Sequence, residues 1–235
     1  QIYPDAASEI QQIQEEIDLD FLVDDWQQLM DSMQAGAERI HQMVRSLKLF
    51  ARLDESEIKR VDLHQGIDTT LAILQHRLRG ENNWSAIEVV KAYGQLPQVT
   101  CYASQMNQVF MNLLNNAIDA LEGQPPPRTI TIRTALEMRT RDIAPTDSPV
   151  AVIRIADNGP GMSEQLCQQI FDPFFTTKPI GRGTGLGLSI SYQIIVEKHG
   201  GQLYCNSAPG KGTELVVEIP LNPILNGKHC SPSDI

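Results

Sequence analysis

Three short stretches of this 235-residue chain hold side chains and backbone that could do chemistry together. In the first, Gln105, Gln108, Asn112, Asn115, Asn116 and Asp119 fall on one arc of about 100° if the segment is helical. Val109, Phe110, Leu113, Leu114, Ala117 and Leu121 fill the opposite side as core. A solvated helix face ordinarily uses Lys and Glu, which form helices better than Asn does. Asn112 and Asn116 stand four residues apart and point the same way. Neutral oxygen ligands at that spacing suit Mg²⁺ shared with phosphates, because Mg²⁺ keeps several waters and needs few protein ligands. Taken alone, the arc is equally a solvated face. In the second stretch, Asp157 follows the apolar run Val152, Ile153 and Ile155 and leads into Asn158-Gly159-Pro160-Gly161-Met162. A carboxylate at a strand end can accept from an exocyclic amine such as that of adenine, and Gly159 and Gly161 let backbone approach a ring. By itself the stretch is also an ordinary Asp-Asn-Gly turn. In the third, Gly181, Gly183, Gly185 and Gly187 alternate with Arg182, Thr184 and Leu186 and run into an apolar helical segment. Backbone N–H groups at a helix start attract phosphate. Neither G-x-x-x-x-G-K-[ST] nor a strand-borne G-x-G-x-x-G is present.

Phe171-Asp172-Pro173-Phe174-Phe175-Thr176-Thr177-Lys178 lies between the second and third stretches. Its phenylalanines form a hydrophobic plug, and the glycines around them suggest a lid that closes over a ligand. Lys178 and Arg182 then meet phosphate charge. The plainer alternative is core aromatics and solvated cations.

The elements that must position these groups are legible in outline. Helical periodicity runs through Leu63–Leu78, Ser104–Leu121 and Leu186–Lys198, and strand-like runs through Ala86–Ala92, Thr129–Leu136, Val150–Ala156, Gln202–Asn206 and Thr213–Ile219. No regular βαβ alternation appears, which predicts an α+β two-layer sandwich with helices on one face of a mixed sheet. Arg139–Ser148 reads as a polar insertion between strands, and the tail after Pro220 as polar and frayed. Upstream, Trp26, Leu29, Met33, Gly36, Ile40, Met43, Leu47 and Phe50 step by three and four, the seam of a bundle or coiled coil. A net charge of -10 argues against a nucleic-acid partner. Cys101, Cys167, Cys205 and Cys230 are scattered in sequence and read as reduced, mostly buried thiols. No run has the roughly 18 apolar residues of a membrane span, so no membrane contact is expected within the chain.

Together the stretches closely resemble the catalytic ATP-binding domain of sensor histidine kinases. Asn112-Leu113-Leu114-Asn115-Asn116-Ala117-Ile118-Asp119-Ala120 is similar to that family's N box, Asp157–Met162 to its first glycine box, and Phe171–Lys178 to its F box. Gly181–Gly187 is similar to its second glycine box, and Gly210-Lys211-Gly212-Thr213 to its last glycine-threonine element. The resemblance spans Leu63 to Leu221 and implies the GHKL (Bergerat) fold, shared with gyrase-type and mismatch-repair ATPases. It implies Asn116 as the Mg²⁺ ligand, Asn112 facing the phosphates, and Asp157 accepting from adenine with Thr213 nearby. Gly183, Gly185 and Gly187 would cradle the phosphates, with Thr184 and Leu186 among them, and Lys178 would touch them from the lid. The implied activity is transfer of the ATP γ-phosphoryl to a histidine and onward to an aspartate of a response regulator's receiver domain, in the cytoplasm. The upstream seam resembles the second helix of the family's dimerisation and phosphotransfer hairpin, implying a homodimer.

The chain departs from the family in one respect. The usual acceptor is a His followed by Glu or Asp, yet His41, His64, His76, His199 and His229 precede Gln42, Gln65, Arg77, Gly200 and Cys230. His41 reads as an ordinary helix-surface residue. The expected organisation is therefore an incomplete helical segment over 1–60, a catalytic domain over 61–222 and a tail over 223–235. The acceptor helix is expected to lie before Gln1, so that the chain binds ATP without autophosphorylating. Two rivals are an ATP-binding regulatory module without phosphotransfer and an ATPase of gyrase or mismatch-repair type.

Overall fold

The computed structural model describes residues 21, 23–34, 36–37, 58–79, 86–141, 144–178, 183–221, 224–225 and 228–229. These fall into two compact units, one drawn from 1–48 and 178–184, the other from 49–177 and 185–235. In the smaller unit, residues 23–34 form helix α1. Its Trp26, Leu29 and Met33 are 64%, 53% and 64% exposed, an apolar stripe at the spacing of the expected seam. The rest of that seam from Ile40 to Phe50, and His41, lie outside the described residues.

The larger unit is built on a five-stranded sheet in the order β2-β4-β5-β7-β6. Its strands are β2 (Glu88–Tyr93), β4 (Thr129–Arg141), β5 (Ala144–Asp157), β6 (Gln202–Ser207) and β7 (Thr213–Pro220). β2 runs parallel to β4, and the other pairings are antiparallel. Alternation puts Ile130 and Ile132 of β4, Ile153 and Ile155 of β5, and Leu215, Val217 and Ile219 of β7 on one buried face. Helices α2 (Leu63–Ile73) and α4 (Ala103–Leu121) contribute to the same core. So does the helix that begins as α6 (Gly187–Tyr192) and continues with π-type pairing over Gln193–Lys198. α4 contributes Met106, Val109, Phe110, Leu113, Leu114, Ala117, Ile118 and Leu121, each at most 4% exposed and spaced by three and four. Each large apolar side chain in that row stabilises the fold by about 1.5–3 kcal/mol relative to exposure. Val150, Val152, Val216 and Tyr204 make a small separate cluster on the alternate residues of the sheet.

The predicted α+β sandwich is the observed fold, with several elements differing. Helix 63–78 breaks at Leu74, where α2 gives way to the short α3 (Gln75–Arg79). Arg139–Ser148 is not an insertion: β4 and β5 extend through it as a paired ribbon, with an irregularity between Arg139 and Arg141. Ile224–Leu225 of the tail pairs with Lys228–His229. Three elements escaped the periodicity. β1 (Ile58–Val61) and β3 (Val99–Tyr102) pair with each other, and α5 (Glu164–Gln169) starts at a Ser163 cap whose hydroxyl accepts from Leu166 N–H.

Candidate nucleotide site

Asp157 is the last residue of β5, paired in register with Ile130 of β4 and Thr213 of β7. Its Oδ1 accepts from the Gly159 N–H at 2.9 Å, and the Thr213 N–H also bonds the carboxylate. Burial pushes this carboxyl above its ordinary value, against the pull of the two N–H groups. An acid held at a strand end at the expense of desolvation is poised to accept from a donor brought by a ligand.

Two turns are stacked around it. Gly161 and Gly212 both sit at positive φ, 67° and 76°. A Cβ on Gly161 would strike the Ala208 carbonyl, and one on Gly212 would strike the carbonyl of Asp157 itself. Only glycine permits that approach. Ser207 ties the turns together. Its Oγ accepts from Met162 N at 2.8 Å and donates to Gly212 O at 2.8 Å. The Thr213 hydroxyl is thereby left as the donor in its 3.1 Å contact with Ser207. Sequence reasoning missed Ser207, and nothing in its local sequence signals the role. Asn158 anchors the turn from outside, accepting from Thr129 N and donating to Pro127 O, both at 2.8 Å.

α4 joins this acidic turn to the start of α6. At one end the Asn112 amide donates to Gly187 O at 2.9 Å and to Ser191 Oγ at 3.1 Å. Eight residues on, a Cβ on Gly159 would come within 3.1 Å of the Ala120 carbonyl. Asn116 stands midway on the same stripe, one turn from each contact. It is half-buried, and its side chain has no hydrogen-bond partner among the described residues. The rest of the predicted amide arc is divided. Gln105 is 2% exposed, in the core. Asn115 and Asp119 are gripped by Arg77, which donates to their Oδ1 atoms at 2.7 and 2.6 Å and to Glu122 Oε1 at 2.6 Å. The polar face is thus in part a structural clamp.

The phenylalanine segment is also divided. Phe171 and Phe175 pack against the core, and Phe171 lies 5.7 Å from the Tyr192 ring of α6. Phe174 is 69% exposed at φ 67°, so the three rings do not form one plug. Phe174 N donates to Gly185 O at 3.0 Å. Gly185, at φ 66°, packs on the Phe174 backbone so closely that a side chain there would collide with it. Leu186 packs against the core, and α6 starts at Gly187, one residue later than predicted.

Asn112, Asn116, Asp157, Gly159, Gly161, Gly185, Leu186, Gly187 and Thr213 therefore share one unit. Lys178, Gly183 and Thr184 belong to the other, and Arg182 lies outside the described residues. Among the described residues, no group of three or more His, Cys, Asp or Glu could hold a metal ion. None of the helices there is long and apolar enough to cross a membrane.

Strand-end acid, stacked glycine turns and amide-bearing helix define a GHKL-type ATP-binding domain, and comparison with known proteins agrees. The histidine kinase-, DNA gyrase B- and HSP90-like ATPase model matches residues 101–223, more than half of the chain. The chain belongs to that family. It is 36% identical over 197 residues to the sensor kinase CckA of Brucella abortus, covering 80% of this chain and 20% of that protein. It is 32% identical over 201 residues to the sensory histidine kinase/phosphatase NtrB of Rhodobacter capsulatus, covering 83% and 53%. The chain thus spans between a fifth and about half of the length of these relatives. The solved catalytic domain of the histidine kinase ThkA is similar with a TM-score of 0.56 at 28% identity, over 70% of this chain and 95% of that one.

Proposed function

We propose that the larger unit binds ATP with Mg²⁺ and serves as the catalytic domain of a two-component sensor histidine kinase. The observation that carries this reading is the α4 stripe. Asn112 reaches the start of α6, Ala120 backs the acidic turn, and Asn116 stands between them without a protein partner. The stripe spans about 12 Å at the rise of an α-helix, the scale of a nucleoside and its phosphates. Asp157 accepts the adenine amine, and the stacked turns at Gly159, Gly161 and Thr213 hold the ring. The Gly185 and Gly187 backbone faces the phosphates, and Lys178, Arg182, Gly183 and Thr184 are further phosphate-binding candidates. Asn112, whose amide hydrogens are committed to Gly187 and Ser191, acts by fixing the cradle. Asn116 supplies its Oδ1 to Mg²⁺, which would neutralise phosphate charge.

In such a site the protein positions the γ-phosphoryl and neutralises its charge, and the attacking histidine nitrogen does the rest. Transfer to a histidine and then to a receiver-domain aspartate of a response regulator is the activity we assign, in the cytoplasm, with α1 as part of a dimer interface. Support comes from relatives named as sensor kinases and from the crystallised complex of ThkA with the response regulator TrrA, similar in fold at a TM-score of 0.60. The test is γ-labelled ATP supplied with an acceptor-bearing histidine kinase segment. Acid-labile label on the acceptor is expected, and is lost with Asp157→Ala. Inorganic phosphate without phosphoprotein would instead mark a gyrase-type ATPase, and nucleotide binding with neither product a regulatory module.

A further inference from the structure

Cys167 lies on α5 and Cys205 on β6, 38 residues apart in sequence, yet their Sγ atoms are 3.8 Å apart. Both are half-buried. Cys101 differs: it is wholly buried, and burial alone pushes its thiol up to about 12, so it is packing. α5 is six residues long and buries none of them fully, and β6 is an edge strand of the sheet. A disulfide needs the sulfurs at about 2.05 Å. A short helix without a buried anchor can make that small approach.

We infer that Cys167 and Cys205 form a reversible dithiol–disulfide couple that clamps α5 to β6 when a peroxide oxidises it. Cys205 is held as a thiol: burial first, and then Cys167 and the Asp157 carboxylate, push it up to about 12. In this couple Cys167, the sulfur on the short helix, meets peroxide first. The Cys167 sulfur, having released its proton, attacks one peroxide oxygen. The O–O bond breaks, hydroxide leaves and takes up a proton as water, and a sulfenic acid remains. The Cys205 sulfur then attacks that sulfur, the S–O bond breaks, and the departing hydroxide leaves as water with the Cys205 proton. Two thiols lose two electrons and the peroxide becomes two waters. The clamp sits beside the site. Cys205 is two residues from Ser207, which holds both glycine turns, and α5 links the first of those turns to Phe171.

The experiment treats the reduced chain with hydrogen peroxide and maps its peptides without reductant. A Cys167–Cys205 cross-linked peptide is expected, reversed by dithiothreitol and absent from Cys167→Ser and Cys205→Ser. Amide exchange over 163–170 should slow about fivefold or more in the oxidised form. Oxidation of Cys167 to sulfinic acid without the cross-link would overturn the couple, as would cross-linking of either residue to Cys101 or Cys230 instead. An effect on ATP rests on the function proposed above, and a threefold or larger change in affinity on oxidation is expected. Reduced protein that binds no ATP would defeat that function and leave the cross-link result standing.

Discussion

At the scale of single residues, the groups that matter most oppose stability. Asp157 keeps a carboxylate under cover with two N–H partners, and burial still raises its pKa. A raised acid binds protons more readily folded than unfolded, so at neutral pH its charge weakens the unliganded domain. Asp157→Asn should therefore melt at an equal or higher temperature than the parent in scanning calorimetry while losing adenine nucleotide binding. Asn116→Ala should bind nucleotide with a weakened dependence on Mg²⁺, read by calorimetric titration with and without the metal. His199 shows the opposite titration. It is wholly buried, with Nδ1 bonded to the Ile194 carbonyl at 2.7 Å and Nε2 accepting from Tyr102 N at 3.2 Å, which fixes one neutral tautomer. Burial lowers its pKa below the ordinary 6.5. The unfolded chain then binds the proton first, so stability falls as pH drops below 6.5 towards the folded value. Urea midpoints across that window should decline, and His199→Gln should flatten the slope.

Between elements, the site depends on contacts that sequence spacing does not encode. Arg77 on α3 holds Asn115, Asp119 and Glu122 of the α4 region. Arg77→Ala should cost about 1.5–3 kcal/mol, the range for hydrogen bonds to charged groups, in urea unfolding. Gly161→Ala forces a side chain into a left-handed turn against the Ala208 carbonyl. It should cost roughly 1–3 kcal/mol in the same assay. Order and type of the long elements were legible because Ile130, Ile132, Ile153 and Ile155 alternate, and the α4 core residues recur by three and four. β1 was not legible, since Lys59 and Arg60 interrupt a four-residue strand whose partner begins at Val99. The ribbon through 139–148 was hidden by its polar composition, which backbone pairing tolerates. Of the candidate site, the strand-end position of Asp157 and the tight turns at Gly161 and Gly212 were legible, because an apolar run ends at the acid and glycines punctuate the turns. The division of labour along the amide face was not, because Arg77 comes from a distant segment. The thiol pair also escaped, as its 38-residue separation says nothing of proximity.

For the molecule as a whole, a ligand that fills the site must act as a stabiliser. ATP with Mg²⁺ at a hundred times its dissociation constant should add about 2.7 kcal/mol, raising the melting temperature of the larger unit by roughly 5–10 °C. A thermal-shift series with and without Mg²⁺ reads this directly. The bond from Phe174 N to Gly185 O has a wider consequence. Phe174 and Gly185 are joined backbone to backbone across the intervening sequence, so the ends of that stretch are pinned together on the larger unit. The free energy of closing such an excursion grows only with the logarithm of its length. Sequence can be spliced into it or trimmed from it with little strain on the sheet. Residues inserted between the pinned ends should therefore leave the fold of the larger unit intact while ATP binding, which the proposed function routes through Lys178, Arg182, Gly183 and Thr184, is lost; the pair itself, Phe174 and Gly185, must be left untouched.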